Sequence, residues 1–145
     1  MAGHPIWLPG VSMSTIAFQI LAVAEEPLQS YITTESQERG LVFRQETNPR
    51  NAWRAAETTV PELLILSLDF ERMAGEIFLR RFAKEERFTR IPVIAISRRA
   101  DREKLSLLQE LGVKDMLAGE LDSKRLMDSI EKYYRRKVIA EMSKL

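Results

Sequence analysis

The sequence predicts an α/β fold: a doubly wound, five-stranded parallel sheet whose strands alternate with five helices, the last of them extended. Three observations lead there. Short apolar runs recur at 16–24 (IAFQILAVA), 63–66 (LLIL) and 91–97 (IPVIAIS), and they read as strands. The 63–66 run is uninterrupted and lies between Pro61 and a charged DFER segment, the pattern of a strand buried on both faces. Between the runs lie stretches of helical period, opened by capping residues or proline and closed by glycine.

Composition sets the limits. At 145 residues, 45% hydrophobic and 30% charged, the chain suits one compact domain, expected over residues 15–135. No stretch approaches the roughly 18 apolar residues of a membrane span. The 22 basic and 21 acidic residues nearly cancel, which argues against a surface built wholly for nucleic acid or an anionic membrane. With no cysteine there is no disulfide, thiolate metal site or cysteine nucleophile, and a cytoplasmic location is expected. The lone histidine, His4, falls in residues 1–14, a Gly/Pro-bearing stretch that reads as a flexible arm with Met13 as a second candidate start. No signal-peptide pattern opens it.

The elements follow in order. The 16–24 strand ends at Glu25, Glu26 and Pro27; Pro27 suits a first helical turn, and Leu28, Tyr31, Ile32 and Glu35 keep helical spacing until Gly40. LVFRQ (41–45) is a second strand, and Asn48 with Pro49 caps a helix through Trp53 and Ala56. After the central strand, a helix from Gly75 to about Lys84 is expected to bury Ile77, Phe78 and Phe82. The 91–97 strand leads to a helix opened by Asp101, carrying Leu105, Leu108 and Leu111 and ended by Gly112. KDML (114–117) is a short, less apolar strand, and Asp122 caps a final helix facing inward through Leu126, Ile130 and Tyr133 or Tyr134.

In a parallel α/β sheet, chemistry is done just past the carboxyl ends of the central strands, which places Ser67 and Asp69 where a reactive group would stand. No phosphate-cradling glycine loop, catalytic triad, zinc spacing or paired-carboxylate constellation stands out, so an enzyme reading has little to rest on.

Four blocks carry a resemblance: ILAVAEEP, PELLILSL, MAGEIFLRRFAKEERFTRIPVIAIS and GVKDMLAGELD. From about Ile16 to Tyr134 the chain resembles the receiver domains of two-component response regulators, which have a flavodoxin-like fold. In that family the phosphoacceptor aspartate lies eight residues before the glycine of the third helix, and counting back from Gly75 lands on Ser67. The family lysine lies 22 residues past the hydroxyl of the fourth strand, and counting on from Ser97 lands on Gly119. The resemblance thus implies a stripped phosphotransfer site. Ala24 and Glu25 stand for the magnesium-binding acidic pair, Ser67 for the acceptor, Ser97 for the retained hydroxyl and Gly119 for the lysine.

Mg²⁺ asks for hard oxygen ligands in near-octahedral geometry, and a serine with one glutamate holds it poorly, so no metal and no cofactor are expected. A serine hydroxyl without a base is also a weak nucleophile beside an ionised carboxylate. The expected function is that of a pseudo-receiver: a non-phosphorylated signalling domain acting on a protein partner or effector domain. Two alternatives stay open. Asp69 shares a face with Ser67 and could act as a displaced phosphoacceptor, though it sits one pleat, roughly 7 Å, along the strand and also reads as a solvated loop acid. The vacated crevice could instead sense a small molecule.

Met116 takes the place of the family's switch aromatic, and a flexible thioether makes a poor two-state reporter, so one conformation is expected. The final helix continues from Asp122 to about Met142, about 30 Å at 1.5 Å per residue. Its late apolar stripe (Val138, Ile139, Met142, Leu145) is expected either to fold back on the domain or to meet a partner. Since receivers commonly pair through the fourth helix, fifth strand and final helix, the favoured expectation is a homodimer with Leu107, Tyr134 and Val138 near the contact. The basic residues Lys132, Arg135, Arg136 and Lys137 read as helix-terminal cations rather than a nucleic-acid site.

Overall fold

The computed structural model describes residues 17–32, 40–99 and 102–144. Its strands are β1 (Phe18–Val23), β2 (Leu41–Glu46), β3 (Leu63–Ser67), β4 (Val93–Ser97) and β5 (Val113–Ala118). All pair in parallel, in the order β2-β1-β3-β4-β5. The order reverses between β1 and β3, which opens a crevice at their carboxyl ends. Its helices are α1 (Pro49–Thr58), α2 (Ala74–Lys84), α3 (Arg102–Glu110) and α4 (Ser123–Met142). A 3₁₀ turn at Gln29–Tyr31 follows β1.

Side-chain alternation along the strands divides the core into two layers. Ile20, Ala22, Leu63, Ile65, Ile94 and Ile96 face one way and pack against Leu126, Ile130, Tyr133 and Tyr134 of α4. Leu21, Val23, Leu64, Leu66, Val93 and Ala95 face the other way, against α1, α2 and Leu108 of α3. That second layer is closed by rings: Trp53 meets Phe78 and Phe88 edge-on at 5.8 and 5.5 Å, and Phe82 stacks on Phe88 at 4.5 Å. The Arg81 guanidinium covers the outer side of Trp53, 3.9 Å from the ring centroid.

Local chemistry sets the ends of the helices. The Asn48 carboxamide oxygen accepts from the Arg50 N–H at 2.8 Å, with Pro49 at the first helical position. Asp122 accepts from the Arg125 N–H at 2.8 Å to open α4. Gly112, at φ 99°, takes the left-handed turn out of α3.

Several expectations are corrected. Ile77 is 62% exposed, because the inward stripe of α2 is Gly75, Phe78, Leu79 and Phe82 and Ile77 falls off it. Leu105 likewise lies at the surface while Leu108, three residues on, is buried. Most consequential are Tyr134 and Val138, expected at a dimer contact. They are 1% and 5% exposed, inside the chain's own core. The reason is that α4 folds back along the sheet, so that Tyr134 meets Phe18 edge-on at 5.7 Å and Lys137 pairs with Glu62 at 2.9 Å. Leu107 is half-buried. The expected arm (1–14), Ile16, Glu35, Asp101 and Leu145 lie outside the described residues.

Candidate functional site

The six candidate residues Ala24, Glu25, Ser67, Asp69, Ser97 and Gly119 all line one open cleft of about 750 Å³ at the carboxyl ends of the strands. Tyr31, Phe70, Leu117 and Leu121 supply its apolar walls, and Glu26, Arg98 and Glu120 its remaining charged rim. Met116 does not reach this cleft; it lines a smaller cavity beside it.

Ser67 ends β3 and is 8% exposed. Its position is set by close packing: a Cβ at Gly75 would collide with the Ser67 carbonyl oxygen, so only glycine lets the start of α2 lie against this backbone. The loop between them carries Arg72 and Met73 in succession at φ 57°, a left-handed conformation that costs non-glycine residues about 1–2 kcal/mol each. The Ser67 Oγ accepts from the Asp69 N–H at 3.1 Å.

Asp69 is exposed in the loop after β3, and its carboxylate reaches across to β4. Its Oδ2 accepts from the Arg98 N–H at 3.0 Å and its Oδ1 lies 3.1 Å from the Ser97 hydroxyl, which also faces the Arg99 carbonyl at 2.9 Å, so the carboxylate bridges from the end of β3 to the end of β4. The Ser97 Oγ also accepts from the Arg99 N–H at 3.2 Å, which holds the β4 turn. On the other side, Arg98 pairs with Glu26 at 3.3 Å, an ion pair exposed enough to contribute little. Gly119 has φ 84° and donates its N–H to the Ser97 carbonyl at 2.9 Å.

Sequence reasoning missed Gln45. Its side-chain oxygen accepts from the Leu28 N–H at 2.8 Å, and its Nε2 donates to the Ala24 and Glu26 carbonyls at 3.0 and 2.7 Å. This one amide therefore fixes the loop that carries Glu25 and Glu26 over the cleft. The available signal was an uncharged amide between two charged residues, Arg44 and Glu46, at the end of a strand.

The donor set does not fit a magnesium ion. Ser67 is neutral, Ala24 offers no side-chain oxygen, Glu26 is paired with Arg98, and among the described residues no group of three or more His, Cys, Asp or Glu is placed to hold a metal.

No family model matches this chain, and no curated protein matches it. Solved structures do. The chain is similar to a response regulator from Desulfuromonas acetoxidans at 28% identity and TM-score 0.68, over 81% of this chain and 97% of that one. It is also similar to the signal receiver domain of a DNA-binding response regulator from Colwellia psychrerythraea 34H, at 20% identity and TM-score 0.70, over 81% and 98%. The chemotaxis response regulator CheY4 of Vibrio cholerae superposes with TM-score 0.69 at 15% identity, over 81% and 98%. The chain is a receiver-like domain. Its five-stranded parallel sheet is the flavodoxin-like receiver fold, with α4 present over Ser123–Met142. Among the described residues no helix of this receiver-like domain is long and apolar enough to cross a membrane.

Proposed function

We propose that this receiver-like domain transmits signals by contact with protein partners or an effector domain and does not accept a phosphoryl group. The observation that carries the reading is Ser67: at the acceptor position stands a buried, neutral hydroxyl tied to the Asp69 N–H, with Gly119 in place of a pairing lysine. A carboxylate acceptor works because it is already ionised near pH 7, and a serine hydroxyl is not. We read the domain as a non-enzyme that works in the cytoplasm.

The basic residues of α4 support protein rather than nucleic-acid partners. Lys132 is paired with Asp115, Lys137 with Glu62 and Glu141, and the Arg136 guanidinium lies 5.1 Å from the Tyr133 ring centroid. Because Tyr134 and Val138 belong to the domain's own core, a contact through α3, β5 and α4 would use Leu107 without them.

A second reading has one observation in its favour. The Asp69 Oδ1 lies 3.1 Å from the Ser97 Oγ, so a displaced acceptor would already be in reach of the hydroxyl that reads the phosphoryl group. One experiment separates the two. The protein is incubated with acetyl phosphate and Mg²⁺ and its intact mass is measured. No phosphoryl adduct is expected; an adduct lost in Asp69→Asn would establish the second reading and end the first.

A further inference from the structure

We propose that the cavity between the start of α2 and α3 is a binding site for a zwitterion the size of a free amino acid. The cavity measures about 240 Å³, below the roughly 300–1,000 Å³ of pockets that hold drug-sized ligands. Leu68, Leu108 and Met116 give it apolar walls, and Met73, 53% exposed, stands at its side.

Its charged side chains carry no ion pair among the described residues, and one of them is buried. Glu76 is 8% exposed and lines this cavity, and no hydrogen bond or ion pair reaches its side chain among the described residues. The start of α2 favours a negative charge there, but a helix dipole supplies no donor to the carboxylate oxygens. A buried polar group without partners costs free energy that an incoming donor recovers. Arg99 and Lys104 line the same cavity, and neither side chain is committed to an ion pair among the described residues.

A ligand that satisfies all three brings an ammonium to Glu76 and a carboxylate to Arg99 and Lys104, with an apolar stem against Leu108 and Met116. A simple cation leaves the two basic residues unanswered, and a simple anion leaves Glu76 buried and unpaired. Asp69 and Ser97 line both this cavity and the larger cleft, so occupancy here would be felt at the cleft wall. The proposal stands whether or not a phosphoryl group is accepted.

The test is titration of the ¹⁵N-labelled full chain with each of the twenty free L-amino acids, followed by amide shifts. Saturable shifts at Glu76, Leu108 and Met116 are expected for at least one apolar amino acid, with the Ser97 amide moving in step. For leucine as binder, 3-methylbutylamine and 4-methylpentanoate, each carrying one charge, should bind about tenfold or more weakly, as loss of a charged hydrogen bond predicts. Glu76→Gln and Lys104→Ala should each weaken binding about tenfold, and Lys104, at the surface, tests the site even where the buried substitution impairs folding. The proposal is overturned if no amino acid gives saturable shifts, if the amine alone binds as tightly, or if Lys104→Ala leaves the affinity unchanged.

Discussion

Among the described residues, two aspartates lie within hydrogen-bond distance of a serine hydroxyl, and their surroundings differ. Asp115, on β5, accepts from the Ser129 hydroxyl at 2.7 Å, the Tyr133 phenol at 3.1 Å and the Lys132 ammonium at 2.9 Å, all three from α4. Asp69 has one hydroxyl and one backbone N–H within reach, in exposed loops. At Asp115, partial burial works to raise the carboxyl, and the bonds from Lys132, Ser129 and Tyr133 overcome it, holding the group below the usual carboxylate range. In return, burial and then the Asp115 charge push the Tyr133 phenol up to about 12. A carboxylate saturated by one rigid helix fastens that helix to the sheet. A carboxylate held by two loop donors in an open cleft can exchange those donors for another ligand at small cost.

The widest contrast is between the backbone of the cleft and its side chains. Gly75→Ala should destabilise the fold by about 1–3 kcal/mol, the range for overpacking, since the new Cβ meets backbone at Ser67 that cannot rotate away. Denaturant unfolding measures this, and wild-type stability would show that the contact between α2 and β3 is loose. Next comes Asp115→Ala, which strips the acceptor from Ser129 and Tyr133 and leaves a partly buried hydroxyl unsatisfied, at about 1–3 kcal/mol.

The pH dependence of the same group sharpens the comparison. Because its folded pKa is depressed, the stability that Asp115 contributes is present above the unfolded value of about 3.9 and is lost as pH falls through the lower folded value. Wild-type stability should therefore drop more steeply than that of Asp115→Asn as pH falls below about 4; parallel curves would mean that the cluster is not formed in solution. The smallest effect belongs to Asp69→Ala, expected within about 0.5 kcal/mol of wild type, as for exposed groups away from the core. A loss as large as that at Asp115 would make the two aspartates alike and remove the distinction drawn between fastening and open sites.

Much of the fold was legible because its signals are local. Uninterrupted LLIL, the Asn48–Pro49 pair, Asp122 and Gly112 each declare an element or its end without reference to the rest of the chain. The candidate cleft was legible through counting from Gly75 and Ser97, and all six residues do meet there. What failed depended on rotation and on long-range packing. Helical spacing alone did not distinguish the inward stripe of α2 from Ile77. The stripe at Val138 was correctly apolar, but a sequence does not say whether such a stripe faces its own sheet or another molecule. Gln45 and the Asp115 cluster were missed for a third reason: their roles arise from partners elsewhere along the chain, and a single polar residue carries no periodicity.

The return of α4 onto β1 has a consequence for synthesis. Phe18 and Ile20, among the first described residues to leave the ribosome, are covered by Tyr134 and its neighbours, which are among the last. Until α4 emerges, one side of the nascent sheet, from Ile20 across Leu63 to Ile94, lacks Leu126, Ile130, Tyr133 and Tyr134 and keeps an incompletely covered apolar surface. The domain therefore passes its most vulnerable interval late in its synthesis, when all five of its strands can already pair but the helix that covers them is still to come.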